Sequence, residues 1–151
     1  MKALFINGSP NKNGNTAALA SQVMAGHNHE TLNLCDLVIG SYCQQLPGDG
    51  LDEVIEAMRS ADVIVMGSPV YWHNICGAVR NVLDRFYGHV ETGELSGRKL
   101  AFVFQGAAPE KWMLEAGDYT MSRFAGLYGM EYAGMATTRG EAADLGKSLF
   151  S

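Results

Sequence analysis

Short apolar runs along the chain alternate with longer segments in which apolar residues recur every three or four positions. The clearest runs cover residues 3–6, 63–66 and 100–104, and weaker ones lie around Leu32 and Leu34 and at residues 133–136. Uninterrupted apolar runs of this length are typical of parallel strands covered on both faces. The pattern therefore predicts five strands.

The segments between these runs show helical spacing. One helix opens at Asn15 and stops near Gly26, and a second begins after Asp49 or Asp52, either of which could cap it. Two further helices carry apolar stripes over residues 79–86 and 113–128, and residues 145–150 indicate only a short closing helix. The stretches 38–50 and 67–77 are predicted as loops. Regular alternation of strands and helices predicts one α/β domain over residues 1–151, a doubly wound parallel sheet with helices on both faces.

The first predicted turn, Gly8 to Thr16, reads Gly-Ser-Pro-Asn-Lys-Asn-Gly-Asn-Thr. A strand that turns through small and polar residues into a helix aims backbone N–H groups at one point, which suits a phosphate. A Walker A loop is excluded, because the glycines stand one residue too far apart and Asn15 takes the place of the lysine. The dinucleotide pattern G-x-G-x-x-G is also absent. The turn is therefore predicted to bind a terminal monophosphate. The alternative is a plain polar turn with Asn15 as the helix cap.

Ligands of doubly wound sheets bind beyond the carboxyl ends of the strands, so the loops after predicted strands one, three and four should converge. The loop after strand three carries Tyr71 and Trp72, and flat side chains beside backbone amides suit a planar ring. The alternative for this pair is an oligomer contact. Gly106, after strand four, would let backbone approach a ligand closely, although a plain turn explains it as well.

The composition narrows the function further. The chain has 151 residues, 47% of them hydrophobic, and a net charge of −5 without a basic surplus in either half, which excludes an electrostatic nucleic-acid surface. No apolar stretch approaches the ~20 residues of a membrane helix or resembles a secretory leader, so a cytoplasmic protein is expected. Cys35, Cys43 and Cys76 do not form a disulfide framework, and we expect reduced, buried thiols. No metal site is predicted.

The two motifs together, the turn from Gly8 to Thr16 and the segment Gly-Ser-Pro-Val-Tyr-Trp-His-Asn-Ile-Cys-Gly-Ala-Val-Arg-Asn-Val-Leu-Asp-Arg-Phe that starts at Gly67, resemble the flavodoxin-like NAD(P)H-dependent FMN reductases. The resemblance extends to about residue 137 and implies five parallel strands in the order 2-1-3-4-5, with FMN as cofactor. By the same resemblance, one group of residues with its backbone amides holds the FMN phosphate: Ser9, Asn11, Gly14, Asn15 and Thr16. A second group surrounds the isoalloxazine ring: Pro69, Val70, Tyr71, Trp72 and Asn74 on one side, Gln105 and Gly106 at the other edge.

The family resemblance implies an oxidoreductase that moves hydride from NADH or NADPH to FMN and then electrons to a small acceptor, such as a quinone, a nitro or azo compound, a metal ion or free flavin. The flavin carries that chemistry, so no catalytic acid or base is predicted. Relatives of this kind are typically homodimers. A flavodoxin-type electron carrier and a domain that has lost FMN are the alternatives.

Two of the chain's departures from the family pattern concern bound groups. Asn11 follows the Ser-Pro, where many relatives have a cation, and Lys12 comes one position later. Some relatives bind an iron-sulfur centre through a cysteine cluster after strand two, where this chain has only Cys35 and Cys43, so no such cluster is predicted.

Overall fold

The computed structural model describes residues 1–151. Strands and helices alternate along the whole chain, as the apolar pattern predicts. The elements are β1 (Ala3–Asn7), α1 (Asn15–Val23), β2 (His29–Asn33), α2 (Leu51–Ser60), β3 (Val63–Tyr71), β4 (Asn74–Ile75), α3 (Gly77–Arg85), β5 (Lys99–Gln105), α4 (Lys111–Leu127), β6 (Glu131–Ala136) and α5 (Arg139–Leu149). A single 3-10 turn, Leu34–Asp36, follows β2.

Five of the six strands form a parallel sheet in the order β2-β1-β3-β5-β6, and the two-residue β4 pairs antiparallel with the end of β3. Counted along the chain without β4, this is the predicted order 2-1-3-4-5. Ala3 of β1 lies opposite both His29 and Val63, and Val63 lies opposite Lys99. The carboxyl ends of β1, β3 and β5 therefore lie side by side at one edge of the sheet. None of the helices combines the length and the apolar character needed to cross a membrane.

Alternate residues of the central strands enter two separate hydrophobic cores. Leu4, Ile64 and Phe102 point into the larger core, which α2, α3 and α4 cover. Phe5 and Val65 point into the smaller core beneath α1 and α5. Because both faces of the sheet are covered, its central strands are apolar at every position, which is why they appear as uninterrupted runs in the sequence.

The prediction that a loop begins at Gly67 is wrong. β3 continues to Tyr71, and a tight turn through Trp72 and His73 leads back into β4. Ser68 and Pro69 favour a loop by composition, yet both are buried and continue the pairing of β3 with β5. The outcome is a β-hairpin that extends β3 beyond the sheet.

The prediction of only a short closing helix is also wrong, because α5 runs from Arg139 to Leu149. The hydroxyl oxygen of Thr138 accepts a hydrogen bond from the Glu141 amide, and the Glu141 carboxylate accepts one from the Thr137 amide at 2.7 Å. This is a variant of the capping box, and the Thr-x-x-Glu spacing that signals it is present in the sequence. For α2, the structure places Gly50 at the cap position, and Asp49 accepts a hydrogen bond from the first amide of the helix.

Candidate functional site

The turn after β1 is held in shape by its own polar side chains. The Ser9 amide donates to Oδ1 of Asn7 at 3.1 Å, and the Asn11 amide donates to Oγ of Ser9 at 3.1 Å. The Asn13 amide in turn donates to Oδ1 of Asn11 at 3.2 Å. Side chains that accept from backbone two residues ahead form successive Asx- and Ser-type turns. The acceptor atoms of Ser9 and Asn11 therefore shape the turn from within.

The N-terminus of α1 carries no side-chain cap, because Gly14 occupies the cap position. The amides of Asn15, Thr16 and Ala17 donate to no acceptor of the protein. A Cβ atom on Gly14 would lie 2.9 Å from Nδ2 of Asn11, so a larger residue there would displace the Asn11 side chain that shapes the turn. Free first-turn amides together with the helix dipole form an anion site. These donors fit a terminal phosphate such as that of FMN.

The same turn packs tightly against β3 and α3. The Gly8 amide donates to the carbonyl oxygen of Gly67 at 2.8 Å. A Cβ atom at Gly8 would lie 2.3 Å from the Val79 side chain, and one at Gly67 would lie 2.7 Å from Cγ2 of Thr16. Cys76 is buried directly below, with its Sγ 3.4 Å from the Gly8 carbonyl oxygen. The position of α1's first turn is therefore fixed by its neighbours.

Lys12, the only cation of the turn, is paired with Asp36 after β2. Its Nζ lies 2.7 Å from Oδ1 of Asp36, and this hydrogen bond raises the pKa of Lys12. The ammonium group is thereby held on the side of β2. The donors at the start of α1 are consequently neutral.

The hairpin that carries the predicted aromatic pair has a strained turn. Trp72 and His73 have φ angles of 47° and 67°, and Tyr71 pairs with Asn74 across the turn. Two consecutive positive φ angles define a type I′ turn, for which Asn-Gly is the preferred pair. Trp72 is 94% exposed, so no internal packing offsets its strain. Strain of this kind is concentrated at functional sites.

A cavity of about 330 Å³, here called the hairpin cavity, separates this hairpin from the loop between β5 and α4. Gly106 forms part of its wall, and a Cβ atom there would lie 3.0 Å from Cβ of Val70. His73 packs edge-on against Trp112 at a ring-centroid distance of 5.7 Å. The remaining lining residues are mainly small or apolar: Trp72, Ala107, Ala108, Pro109, Glu110 and Met113.

A second cavity of about 240 Å³, here called the helix cavity, lies between the starts of α1 and α5. Gly106 lines this cavity as well, so the two cavities meet at that residue. Its other lining residues are Asn15, Ala18, Leu19, Gln105, Thr137, Thr138 and Arg139. The residues after β6 were missed by the sequence prediction, although the rule that ligands bind at the carboxyl ends of strands applies to that strand too.

A long-range hydrogen bond connects the two loops. Nε2 of Gln105, at the end of β5, donates to Oγ1 of Thr16 at 3.2 Å. Thr16 is buried and Gln105 is half-buried. The sequence prediction placed Gln105 at the flavin ring, whereas in the structure its amide points to the start of α1.

Some of the predicted site residues line the two cavities, and others do not. Val70 and Trp72 line the hairpin cavity, and Asn15 lines the helix cavity. Pro69 is buried within β3, and neither of the two cavities is lined by Tyr71, which is 48% exposed. The Asn74 side chain accepts a hydrogen bond from the Ile75 amide, which stabilises the hairpin itself.

The cysteines are placed differently from the expectation that all three are buried. Cys76 is buried, but Cys35 and Cys43 are exposed. The protein holds no group of three or more His, Cys, Asp or Glu side chains arranged for a metal ion. Iron-sulfur clusters are held by four cysteines or a close equivalent, and the residues present do not fit one.

Comparison with known proteins agrees with this geometry. The family model of the NADPH-dependent FMN reductases matches residues 1–134. An iron-sulfur flavoprotein of Archaeoglobus fulgidus is 38% identical over 99 residues, which cover 56% of this chain and 48% of that protein. The chain thus spans about half the length of the curated relatives it matches.

Solved structures show the same fold. The Trp repressor binding protein of Bacillus subtilis superposes with a TM-score of 0.74 at 16% identity, over 96% of both chains. An FMN-dependent NADH-azoreductase of Bacillus anthracis, solved in complex with FMN, gives 0.66 at 15% identity and covers 99% of this chain and 96% of its own. Together with the family match, the order of its strands and the donors at the start of α1 show that this chain belongs to the NADPH-dependent FMN reductase family, with FMN as its cofactor.

Proposed function

We propose that the protein is an FMN-dependent oxidoreductase that takes hydride from NADH or NADPH and passes the electrons to a small acceptor. One observation supports this most: the uncapped start of α1 and the hairpin cavity are joined through Gln105 and Gly106. A phosphate at the first and a ring at the second would place one FMN molecule along the carboxyl edge of the sheet. FMN, when bound, would accept the hydride and pass the electrons on.

The chain's own contribution is binding and access. The turn Ser9–Thr16 would hold the phosphate through its neutral amides and the Thr16 hydroxyl group, with Asn11 keeping the turn in shape. Pro69, Val70, Tyr71, Trp72 and Asn74 would flank the ring from β3 and its hairpin. Gly106, Ala107 and Ala108 have little or no side chain, which leaves room for a nicotinamide beside the ring.

The proposal extends to a homodimer. Between α3 and α4 lies a groove of about 360 Å³ on the face away from the smaller core. Tyr87 is 61% exposed and Tyr119 67% exposed at this groove, beside Arg80, Arg123 and Asp84. A surface with exposed aromatic rings and charges of both signs can pair with a copy of itself. Sedimentation of the wild type and of Tyr119→Asp tests this: a dimer that the variant disrupts supports it, and a monomeric wild type contradicts it.

Anaerobic reduction of the FMN-loaded protein tests the activity. We expect NADH or NADPH alone to bleach the flavin absorbance, without a partner protein. Ala107→Trp would fill the hairpin cavity and slow this reduction more than it weakens FMN binding; Ala143→Trp, on α5 and away from the hairpin cavity, is the control. A flavin that stays oxidised under both nicotinamides, yet is reduced by dithionite, would make the protein a flavodoxin-type carrier instead.

Tryptophan fluorescence tests where the ring binds. The chain has two tryptophans, so the measurement uses a Trp112→Phe background in which Trp72 is the only emitter. We expect FMN to quench Trp72 emission, because the residue lines the hairpin cavity. Unchanged emission at saturating FMN would place the ring away from the hairpin.

A further inference from the structure

We propose that Gln105 is a positioning residue for the FMN phosphate, and that it acts through the hydroxyl group of Thr16 rather than by touching the flavin ring. The inference rests on the phosphate site proposed at the start of α1. In this role Gln105 makes the protein prefer a phosphorylated flavin over the same flavin without its phosphate.

The geometry is set by residues far apart in the chain. Nε2 of Gln105 lies 3.2 Å from Oγ1 of Thr16, across 89 positions of sequence. Thr16 is only 1% exposed, and its methyl group lies against Gly67 of β3. The Thr16 side chain is therefore held on one side by β3 and on the other by the Gln105 amide.

The chemistry follows from the donor inventory of a hydroxyl group, which has one hydrogen and two lone pairs. The Gln105 amide donates into one lone pair, so the hydroxyl hydrogen remains for another acceptor. The bond from Gln105 is the only hydrogen bond of the Thr16 hydroxyl group to another group of the protein. The adjacent amides of Asn15 and Ala17 also lack protein acceptors. The three donors together suit one acceptor, a dianionic phosphate, and Gln105 fixes the direction of the hydroxyl group among them.

Gln105 also connects the phosphate to the ring region. The next residue, Gly106, lines both the hairpin cavity and the helix cavity. The backbone of Gln105 pairs with Pro69 of β3, so the end of β5 and Gly106 are held by the sheet itself. Loss of the Gln105 side chain should therefore affect the phosphate end of the flavin and leave the loop beside the ring in place.

The test compares FMN with riboflavin, which lacks the phosphate, by fluorescence titration of purified protein. Gln105→Met removes the donor at similar size and should weaken FMN binding about tenfold. Gln105→Glu should weaken it more, because a carboxylate accepts the Thr16 hydrogen and repels the phosphate. Riboflavin affinity should stay within about twofold in both variants. Gln22→Met, on the far end of α1, serves as the matched control and should change neither affinity.

Measuring Gln105→Met in a Thr16→Val background completes a double-mutant cycle between the two residues. Once the hydroxyl group is absent, Gln105→Met should have no further effect on the ratio of the two affinities. An equal loss of FMN and riboflavin binding would assign Gln105 to the ring and overturn the inference. A full tenfold effect in the Thr16→Val background would overturn it as well. A wild type that binds riboflavin as tightly as FMN would instead refute the proposed phosphate site, so the two failures are distinguishable.

Discussion

Arg85 of α3 and Asp49 of the segment before α2 form a buried ion pair, with 2.7 Å between Nη1 and Oδ2 and side chains only 7% and 10% exposed. Nη1 of Arg85 also donates to the Gly40 carbonyl oxygen at 3.0 Å. Asp49 accepts hydrogen bonds from the amides of Gly40 and Leu51. The pair therefore fastens the stretch 38–50, which lacks helix and strand of its own, onto α3.

The ion pair makes stability depend on pH. Hydrogen bonding to Arg85 lowers the pKa of Asp49 from 3.8 to about 2. Because the folded pKa lies below the unfolded value, the contribution is complete above about pH 5 and is lost as the pH falls toward 2. The shift corresponds to about 2 kcal/mol of unfolding free energy. Urea unfolding from pH 7 to pH 2 should show the cost of Asp49→Asn shrinking across that range.

A second ion pair, between Asp144 and Lys147, serves as the control, because both of its side chains are 78% exposed. Asp144→Asn should change the unfolding free energy by less than about 0.5 kcal/mol at any pH. A cost of Asp49→Asn that is the same at pH 7 and near pH 2 would show that the carboxylate charge contributes nothing.

Gly8 tests the close packing of the turn from Gly8 to Thr16. A Cβ atom there would lie 2.3 Å from the Val79 side chain and 2.7 Å from the Gly67 carbonyl oxygen, and the backbone atom cannot move aside without shifting β3. We expect Gly8→Ala to lower the unfolding free energy by about 1 to 3 kcal/mol and to weaken FMN binding. Thermal unfolding and flavin titration measure the two effects.

Gly77 is the matched glycine, because it opens α3 and a Cβ atom there meets nothing within 4 Å. Gly77→Ala should leave FMN binding unchanged and raise stability by up to about 1 kcal/mol, since alanine is the better helix former. If both alanines destabilise the protein equally, the packing argument for Gly8 fails.

Replacing Trp72 in the hairpin turn is expected to raise stability and to slow flavin reduction. Trp72 has a φ of 47° and is almost fully exposed, whereas asparagine tolerates this conformation well. Trp72→Asn should therefore raise the unfolding free energy by about 0.5 to 1 kcal/mol. It should also slow reduction of bound FMN, because the cavity loses one aromatic wall. A variant that is less stable than the wild type would show that Trp72 packs against the protein after all.

Breaking the ion pair between Lys12 and Asp36 is expected to raise the affinity for FMN. Asp36→Asn releases the Lys12 ammonium group, which is half-exposed and lies in the turn from Gly8 to Thr16. The freed cation should tighten FMN binding about two- to fivefold at low salt and much less at high salt, because screening weakens exposed charges. Glu30→Gln, which releases Lys2 at the amino end of β1, is the control. Equal affinities for wild type and Asp36→Asn at low salt would mean that Lys12 does not reach the phosphate.

Much of the architecture follows from local sequence. Buried parallel strands must be apolar on both faces, so residues 63–66 and 100–104 identify strands without further information. The turn from Gly8 to Thr16 and the helix start at Asn15 are likewise readable from neighbouring residues, but the considered cap, Asn15, is wrong, because the structure places Gly14 at the cap position. The full length of α5 was readable too, since the spacing of Thr138 and Glu141 is a known start signal.

The hairpin and the donor directions were decided only by tertiary structure. Trp-His is not a favoured pair for a type I′ turn, so the return of β3 into β4 depends on the burial of Ile75 and Cys76 after the turn rather than on turn preference. The partners of Lys12, Thr16 and Arg85 lie 24, 89 and 36 positions away in the chain. Local sequence determines which elements form, since backbone preference and apolar period act over a few residues. Which polar groups remain free for a ligand is decided by contacts between distant segments, and those exist only once the sheet has assembled.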